Sequence, residues 1–192
     1  MRSDNLYKVP ADIPIPQDDG AARHLLDMEV PSIELACTSG HPVNLSTLTG
    51  RFVVVYCYPR TGRPDEEALG GTANWNQIPG ARGCTPQSCA YRDLHAELRD
   101  LGASVYGLSA QSTAYQLEAV QRLSLTFPLL SDASLEFADR LKLPQFQVAG
   151  IRLLKRITLI IKDARIVHYF YPVFPPDEDA KQVIEWMHHE IR

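Results

Sequence analysis

The apolar positions of this chain alternate between two rhythms. "RFVVVYCYP" (51–59) is an unbroken β-branched and aromatic run. A run of that kind predicts a strand buried on both faces, as in a parallel sheet. "SVYGLS" (104–109) reads as a second buried strand, and "ITLII" (157–161) as a further one. "SIELAC" (32–37) and the stretch around Val43 predict short strands joined by the turn-like "TSGH". "LSTLTG" (45–50) predicts a short helical turn closed by Gly50.

Elsewhere the period lengthens to that of a helix. Leu94, Leu98 and Leu101 repeat at i, i+4, i+7, and Gly102 is a stop signal, so a helix runs from near Thr85 to Leu101. Residues 112–123 predict a helix with Leu117, Val120 and Leu123 on one side, and "LTFPLLSD" leads to another over 133–142. "KDA" joins "ITLII" to "RIVHYFY" (165–171) as a hairpin. A last amphipathic helix, 177–190, carries an apolar stripe of Ala180, Val183, Ile184 and Met187. This order predicts an α/β fold: a central, mostly parallel sheet with one antiparallel hairpin, and helices on both faces.

Two segments carry no period. Residues 1–27 are polar and proline-rich and read as an extended N-terminal arm. Residues 60–81, "RTGRPDEEALGGTANWNQIPGA", read as a loop. A loop that long inside a domain is often functional. The remainder, 28–192, reads as one domain.

Composition narrows the function. The chain has 192 residues, 45% of them hydrophobic, and a formal net charge of −4. That suits one soluble domain with a full-sized core. No basic stripe invites nucleic acid. No apolar segment approaches a membrane span, and no signal peptide is visible, so the cytoplasm is the expected compartment. Four cysteines are too few for a disulfide scaffold.

Two of those cysteines stand together in "GCTPQSC" (83–89). Cys84 follows a glycine and opens a helix, where unpaired N–H groups and the helix dipole favour an anion. A thiol in such a place gains thiolate character. A thiol of pKa about 8.5 is roughly 3% thiolate at pH 7, and one near 6 is about 90%. The gain, about thirtyfold, falls far short of a full enzymatic acceleration, so a second positive group is required. Cys89 lies five positions on, roughly 140° around a helix and about 8–9 Å away between Cα atoms. That exceeds the roughly 7 Å limit for a disulfide, so the pair bridges only if the first helical turn unwinds. Buried filler is the bland alternative for both thiols. Cys37 and Cys57, in predicted strands, read as core. Zinc would call for closer cysteine pairs, and a thioredoxin-type site for C-x-x-C. A Cys–His hydrolase needs a partnered histidine, and His95 lies eleven residues along the helix.

"YCYP", "GCTPQSCAYRD", "LLSDASLEFADRL" and "KRITLIIKDARIV" together resemble a peroxiredoxin, most closely the Q type, or bacterioferritin comigratory protein. The similarity runs from about residue 28 to the C-terminus and implies a thioredoxin-like fold. It implies a thiol-dependent peroxidase that reduces hydrogen peroxide or organic hydroperoxides. Cys84 matches the peroxidatic cysteine, Cys89 the resolving one, and Arg156 the arginine beside the thiolate. Arg92 matches the pattern too, with a salt-bridge or capping role as its alternative. Recycling by thioredoxin or a glutaredoxin-like dithiol donor is implied, with no metal, flavin or haem, in a monomer or homodimer. One departure stands out. The family's Pro-x3-Thr-x2-Cys places threonine where this chain has Ala81. Pro59 lies 25 positions before Cys84 instead of seven, which implies an insertion of about 18 residues. Pro59 and Thr61 are the candidates for substrate contact, with Thr61 folding back to supply the missing hydroxyl and Pro79 standing in for Pro59. The rival function is a redox-sensing interaction module with little turnover, docking through Trp75 and Ile78; the bland reading of Trp75 is a loop anchor.

Overall fold

Strand β3 (Phe52–Cys57) shows why its run of apolar residues is unbroken. Val53, Val55 and Cys57 enter one core, while Val54, Tyr56 and the following Tyr58 enter another on the opposite face. Successive side chains of a strand point to opposite faces, so a strand covered on both sides has no polar positions to spare. The computed structural model describes residues 4–191.

Seven strands form the central sheet: β1 (Glu34–Cys37), β2 (Val43–Asn44), β3, β4 (Ala103–Ser109), β5 (Leu129–Ser131), β8 (Ile157–Lys162) and β9 (Arg165–Phe170), in the spatial order β2-β1-β5-β4-β3-β8-β9. The expected mostly parallel sheet is corrected here. Only β3/β4 and β4/β5 run parallel; β1/β2, β1/β5, β3/β8 and β8/β9 are antiparallel. β5 is the strand that periodicity missed, because three residues are too few to show a period. A separate hairpin, β6 (Gln145–Val148) with β7 (Ile151–Leu154), was not foreseen either.

Four helices cover the Tyr56 face: α2 (Cys84–Asp93), α3 (His95–Asp100), α4 (Thr113–Leu123) and α6 (Asp179–Glu190). The helix expected from Thr85 to Leu101 is thus two, because the backbone leaves helical geometry at Leu94 (φ −102°, ψ 6°). On α4 the inward positions are Gln116, Ala119 and Leu123, and Leu117 is exposed. The α6 stripe is buried as its spacing requires. α5 (Glu136–Leu141) packs on the other face, where Phe137, Ala138 and Leu141 meet Leu25.

Residues 4–27 form no helix or strand and lie against the body. Lys155 Nζ pairs with Asp19 Oδ2 at 2.6 Å, Tyr171 Oη donates to Asp19 Oδ1 at 2.9 Å, and His24 Nε2 donates to Leu141 O at 2.9 Å. The 60–81 segment is not wholly irregular: it holds a short helix, α1 (Thr72–Asn76). Trp75 of α1 is buried with Ala68, Ala81, Val148 and Leu153, so the segment packs its own small core onto the β6–β7 hairpin. Arg60 and Arg63 flank the Tyr115 ring at 4.3 and 4.0 Å and tie its first half to α4.

Candidate active site

Cys84 is the first residue of α2, and Gly83 is the reason it can be. Gly83 has φ 105°, a conformation that residues with a side chain rarely adopt, and a Cβ there would collide with Pro176. The turn therefore closes tightly against the segment leading into α6 and delivers Cys84 to the helix mouth. Cys84 is 4% exposed. Its thiol faces Ala81 O at 3.6 Å. The cleft beside it, about 20 Å³, is bounded by Leu6, Trp75, Ala81, Arg82, Thr85 and Tyr115, among others. That is room for about one or two water-sized groups.

Arg156, which leads into β8, supplies the cation. Its Nη2 lies 3.2 Å from Cys84 Sγ and also donates to Arg82 O at 3.1 Å and Gly80 O at 3.2 Å. Nη1 donates to Gln87 Oε1. Arg156 is 3% exposed. Planar and permanently charged, its guanidinium is held by three groups besides the sulfur, so its direction toward sulfur is set before any ligand arrives. Among the described residues, it makes the one hydrogen bond donated to Sγ.

The sites proposed from sequence do not all converge. Cys84 and Arg156 meet, although 72 positions separate them. Cys89 sits further along α2, half-buried, and both cysteines are free thiols. Burial pushes the Cys89 thiol up, against the pull of Arg92. Thr61 does not return to the sulfur. It is fully buried, and its N–H and hydroxyl both donate to Gln111 Oε1, at 2.9 and 3.0 Å. Pro59 is buried beside it in the chain and does not line the Cys84 cleft. Pro79 lines a different cavity, with Ile15 and Phe146. The aliphatic hydroxyl residue that does line the cleft is Thr85. Arg92 takes its alternative role: Nη1 donates to Leu123 O at 2.7 Å and Nη2 pairs with Asp93 at 2.8 Å, which joins the ends of α2 and α4.

Sequence reasoning missed the floor of the site. Asp179 is fully buried at the start of α6, and its Oδ2 accepts from Gln87 Nε2 (2.7 Å), Thr158 Oγ1 (2.7 Å) and Tyr91 Oη (2.9 Å). Desolvation holds its carboxyl above the usual range, opposed by those donors and by Arg156. Tyr56 stacks on Tyr91 at 4.4 Å and donates to Ser88 Oγ at 3.1 Å. Gly107 makes that possible, since a Cβ there would meet the Tyr56 ring at 2.6 Å. Burial raises the phenols of Tyr56, Tyr58 and Tyr91 well above their ordinary value. The spacing Cys84–Gln87, one helical turn, was the available signal for Gln87. No local signal marks Asp179. Among the described residues no cluster of side chains suits a metal ion, and no helix is long and apolar enough to cross a membrane.

A thiol at a helix mouth, a buried guanidinium beside it and a sheet with helices on both faces define the class: a protein of thioredoxin-like fold. Comparison with known families agrees, since the family model described as Redoxin matches residues 26–184. The chain belongs to the Redoxin family, and the relatives it resembles are Q-type peroxiredoxins. Chloroplastic peroxiredoxin Q of Oryza sativa subsp. japonica is 35% identical over 102 residues, 53% of this chain and 39% of that protein. Peroxiredoxin Bcp of Bacillus subtilis is 27% identical over 114 residues, 59% of this chain and 61% of that one. In both cases the match spans under two thirds of the relative. Among solved structures, peroxidoxin BcpB of Mycobacterium tuberculosis has a TM-score of 0.69 and 26% identity over 87% of this chain and 97% of its own. A PrxQ mutant of Xylella fastidiosa gives 0.70 at 18% identity, with the same coverage, and bears on the fold alone.

Proposed function

We propose that this chain is a thiol-dependent peroxidase. The observation that carries the reading is Arg156 Nη2 at 3.2 Å from Cys84 Sγ, at the first residue of a helix and beside a cleft of molecular size. Family membership supports it. The Cys84 thiolate attacks one oxygen of a peroxide ROOH, and the O–O bond breaks. The sulfur becomes a sulfenic acid, Cys84–SOH, and RO⁻ takes a proton to leave as alcohol or water. Arg156 stabilises both the attacking sulfur and the charge that develops on oxygen. The Cys89 thiol then displaces hydroxide from the sulfenic sulfur. A disulfide forms, and water leaves once that hydroxide is protonated. Since both cysteines lie on α2, this step needs the first turns of the helix to unwind. A dithiol donor of the thioredoxin or glutaredoxin-like class reduces the disulfide and is itself oxidised.

The cleft is narrow, which favours hydrogen peroxide and small hydroperoxides. The bacterial relatives support a cytoplasmic setting. Residues 28–192 act as one domain in this reading, with 1–27 as its arm. The rival reading as a docking module loses its principal contact, because Trp75 is buried. The test is stopped-flow oxidation of the reduced protein by hydrogen peroxide and by cumene hydroperoxide, with mass spectrometry of the thiols. Rapid oxidation confined to Cys84, then Cys89, is expected. Cys84→Ser abolishes turnover. A wild-type protein oxidised no faster than free cysteine would end the proposal.

A further inference from the structure

We propose that Asp179 is a positioning residue for Arg156, acting through the side-chain amide of Gln87. The inference rests on the peroxidase reading above and adds to it a residue that touches neither sulfur nor substrate.

The chain of contacts runs Asp179 Oδ2 to Gln87 Nε2, Gln87 Oε1 to Arg156 Nη1, and Arg156 Nη2 to Cys84 Sγ. An amide can face either way, and nothing in its shape prefers one. Its neighbours decide. A guanidinium only donates and a carboxylate only accepts. Gln87 must therefore turn its NH2 to Asp179 and its carbonyl to Arg156. Without the carboxylate the NH2 of Gln87 loses its acceptor, and the guanidinium alone is left to hold the carbonyl in place. The contact that holds Nη1 then loosens, and the aim of the planar group rests on Arg82 O and Gly80 O alone.

A second observation favours this role over a purely structural one. Asp179 Oδ1 has no hydrogen-bond partner among the described residues. A buried carboxylate oxygen left without a partner is costly, and an apolar side chain would often serve stability better. The groups facing Asp179 are Tyr91 and Gln87 from α2, Thr158 from β8 and Arg156 just before it; its charge also reaches Tyr56 and Cys57 on β3.

Two roles for the carboxylate make opposite predictions. If its charge were what mattered, removing it would make the Cys84 thiolate easier to form, since a neighbouring negative charge disfavours an anion. If its acceptor aims Arg156, removing it makes the thiolate harder to form. The experiment is the pH profile of Cys84 alkylation by iodoacetamide, read by mass spectrometry of the Cys84 peptide, with thermal unfolding in parallel. Asp179→Ala is expected to shift the profile upward by about one pH unit, so that alkylation below the midpoint slows about tenfold. Asp179→Asn keeps an acceptor without the charge and should restore the rate to within about twofold of wild type. A folded Asp179→Ala protein with the wild-type profile overturns the proposal, as does a downward shift in both variants. Should the alanine variant not fold, the NMR signals of the Gln87 side-chain NH2 in the unaltered protein decide. One exchange-protected pair is expected, and an NH2 that exchanges with solvent as fast as that of an exposed glutamine overturns the proposal. Alkylation needs no peroxide. Loss of peroxidase activity with this pattern intact would defeat the functional reading and leave the positioning role standing.

Discussion

Replacing Arg156 by lysine keeps a positive charge near Cys84 and removes the planar fork. Arg156 donates to Cys84 Sγ, Gly80 O, Arg82 O and Gln87 Oε1 from a site that is 3% exposed. A lysine ammonium is one point on a flexible stem and cannot reach two directions at fixed angles. Loss of one charge-assisted hydrogen bond to the reacting sulfur is worth about 1.5–3 kcal/mol. At 1.36 kcal/mol per factor of ten, the second-order rate constant for peroxide should fall roughly 10- to 150-fold. The loop carbonyls left unpaired cost stability as well, about 1–3 kcal/mol each if water does not replace the donor. Stopped-flow fluorescence measures the first effect, and urea denaturation the second. A folded Arg156→Lys protein that reacts with hydrogen peroxide within about twofold of wild type would refute the claim that guanidinium geometry, rather than charge alone, activates the thiolate.

Cys89→Ser should complete one peroxide reduction and then stall with thioredoxin as donor; continued thioredoxin-linked cycling would remove Cys89 from the mechanism. Trp75→Ala empties the small core under the 60–81 segment. It should cost about 3–5 kcal/mol, with proteolysis within 60–81 as an early sign. Asp19 is held down to about 2, chiefly by its hydrogen bond from Lys155. A depressed carboxylate contributes stability above its unfolded pKa of about 3.9, and loses it as pH falls toward the folded value. Asp19→Asn should therefore lower the urea midpoint at neutral pH, modestly because the pair is partly exposed, with the difference fading between about pH 4 and pH 2. An equal deficit at both ends of that range would contradict the ion-pair assignment.

Part of the candidate site was legible because it is local. Gly83 before Cys84 and the helix after it are consecutive residues, and their consequence for a thiol follows from backbone chemistry alone. The β8–β9 hairpin and the α6 stripe were legible for the same reason: a turn and a period are properties of neighbours in the chain. What misled was also local. Leu117 shares a helical period with Leu123 yet faces solvent, because α4 meets the sheet through Gln116 and Ala119. Thr61 carried the hydroxyl that the active-site pattern lacked. The fold ties it to Gln111 instead, since burial demands a partner for both its N–H and its hydroxyl.

By itself, then, the chain of residues determined that Cys84 opens a helix and which of the longer segments are strands or helices, since these depend on the nearest few side chains. Only tertiary structure decided which distant groups surround that thiol. Arg156, Asp179 and the antiparallel pairing of β1 with β5 join parts of the chain that periodicity cannot relate. Burial sets those meetings: each apolar face must be covered, each polar group taken inside must find a partner, and both demands are met by the whole packing at once.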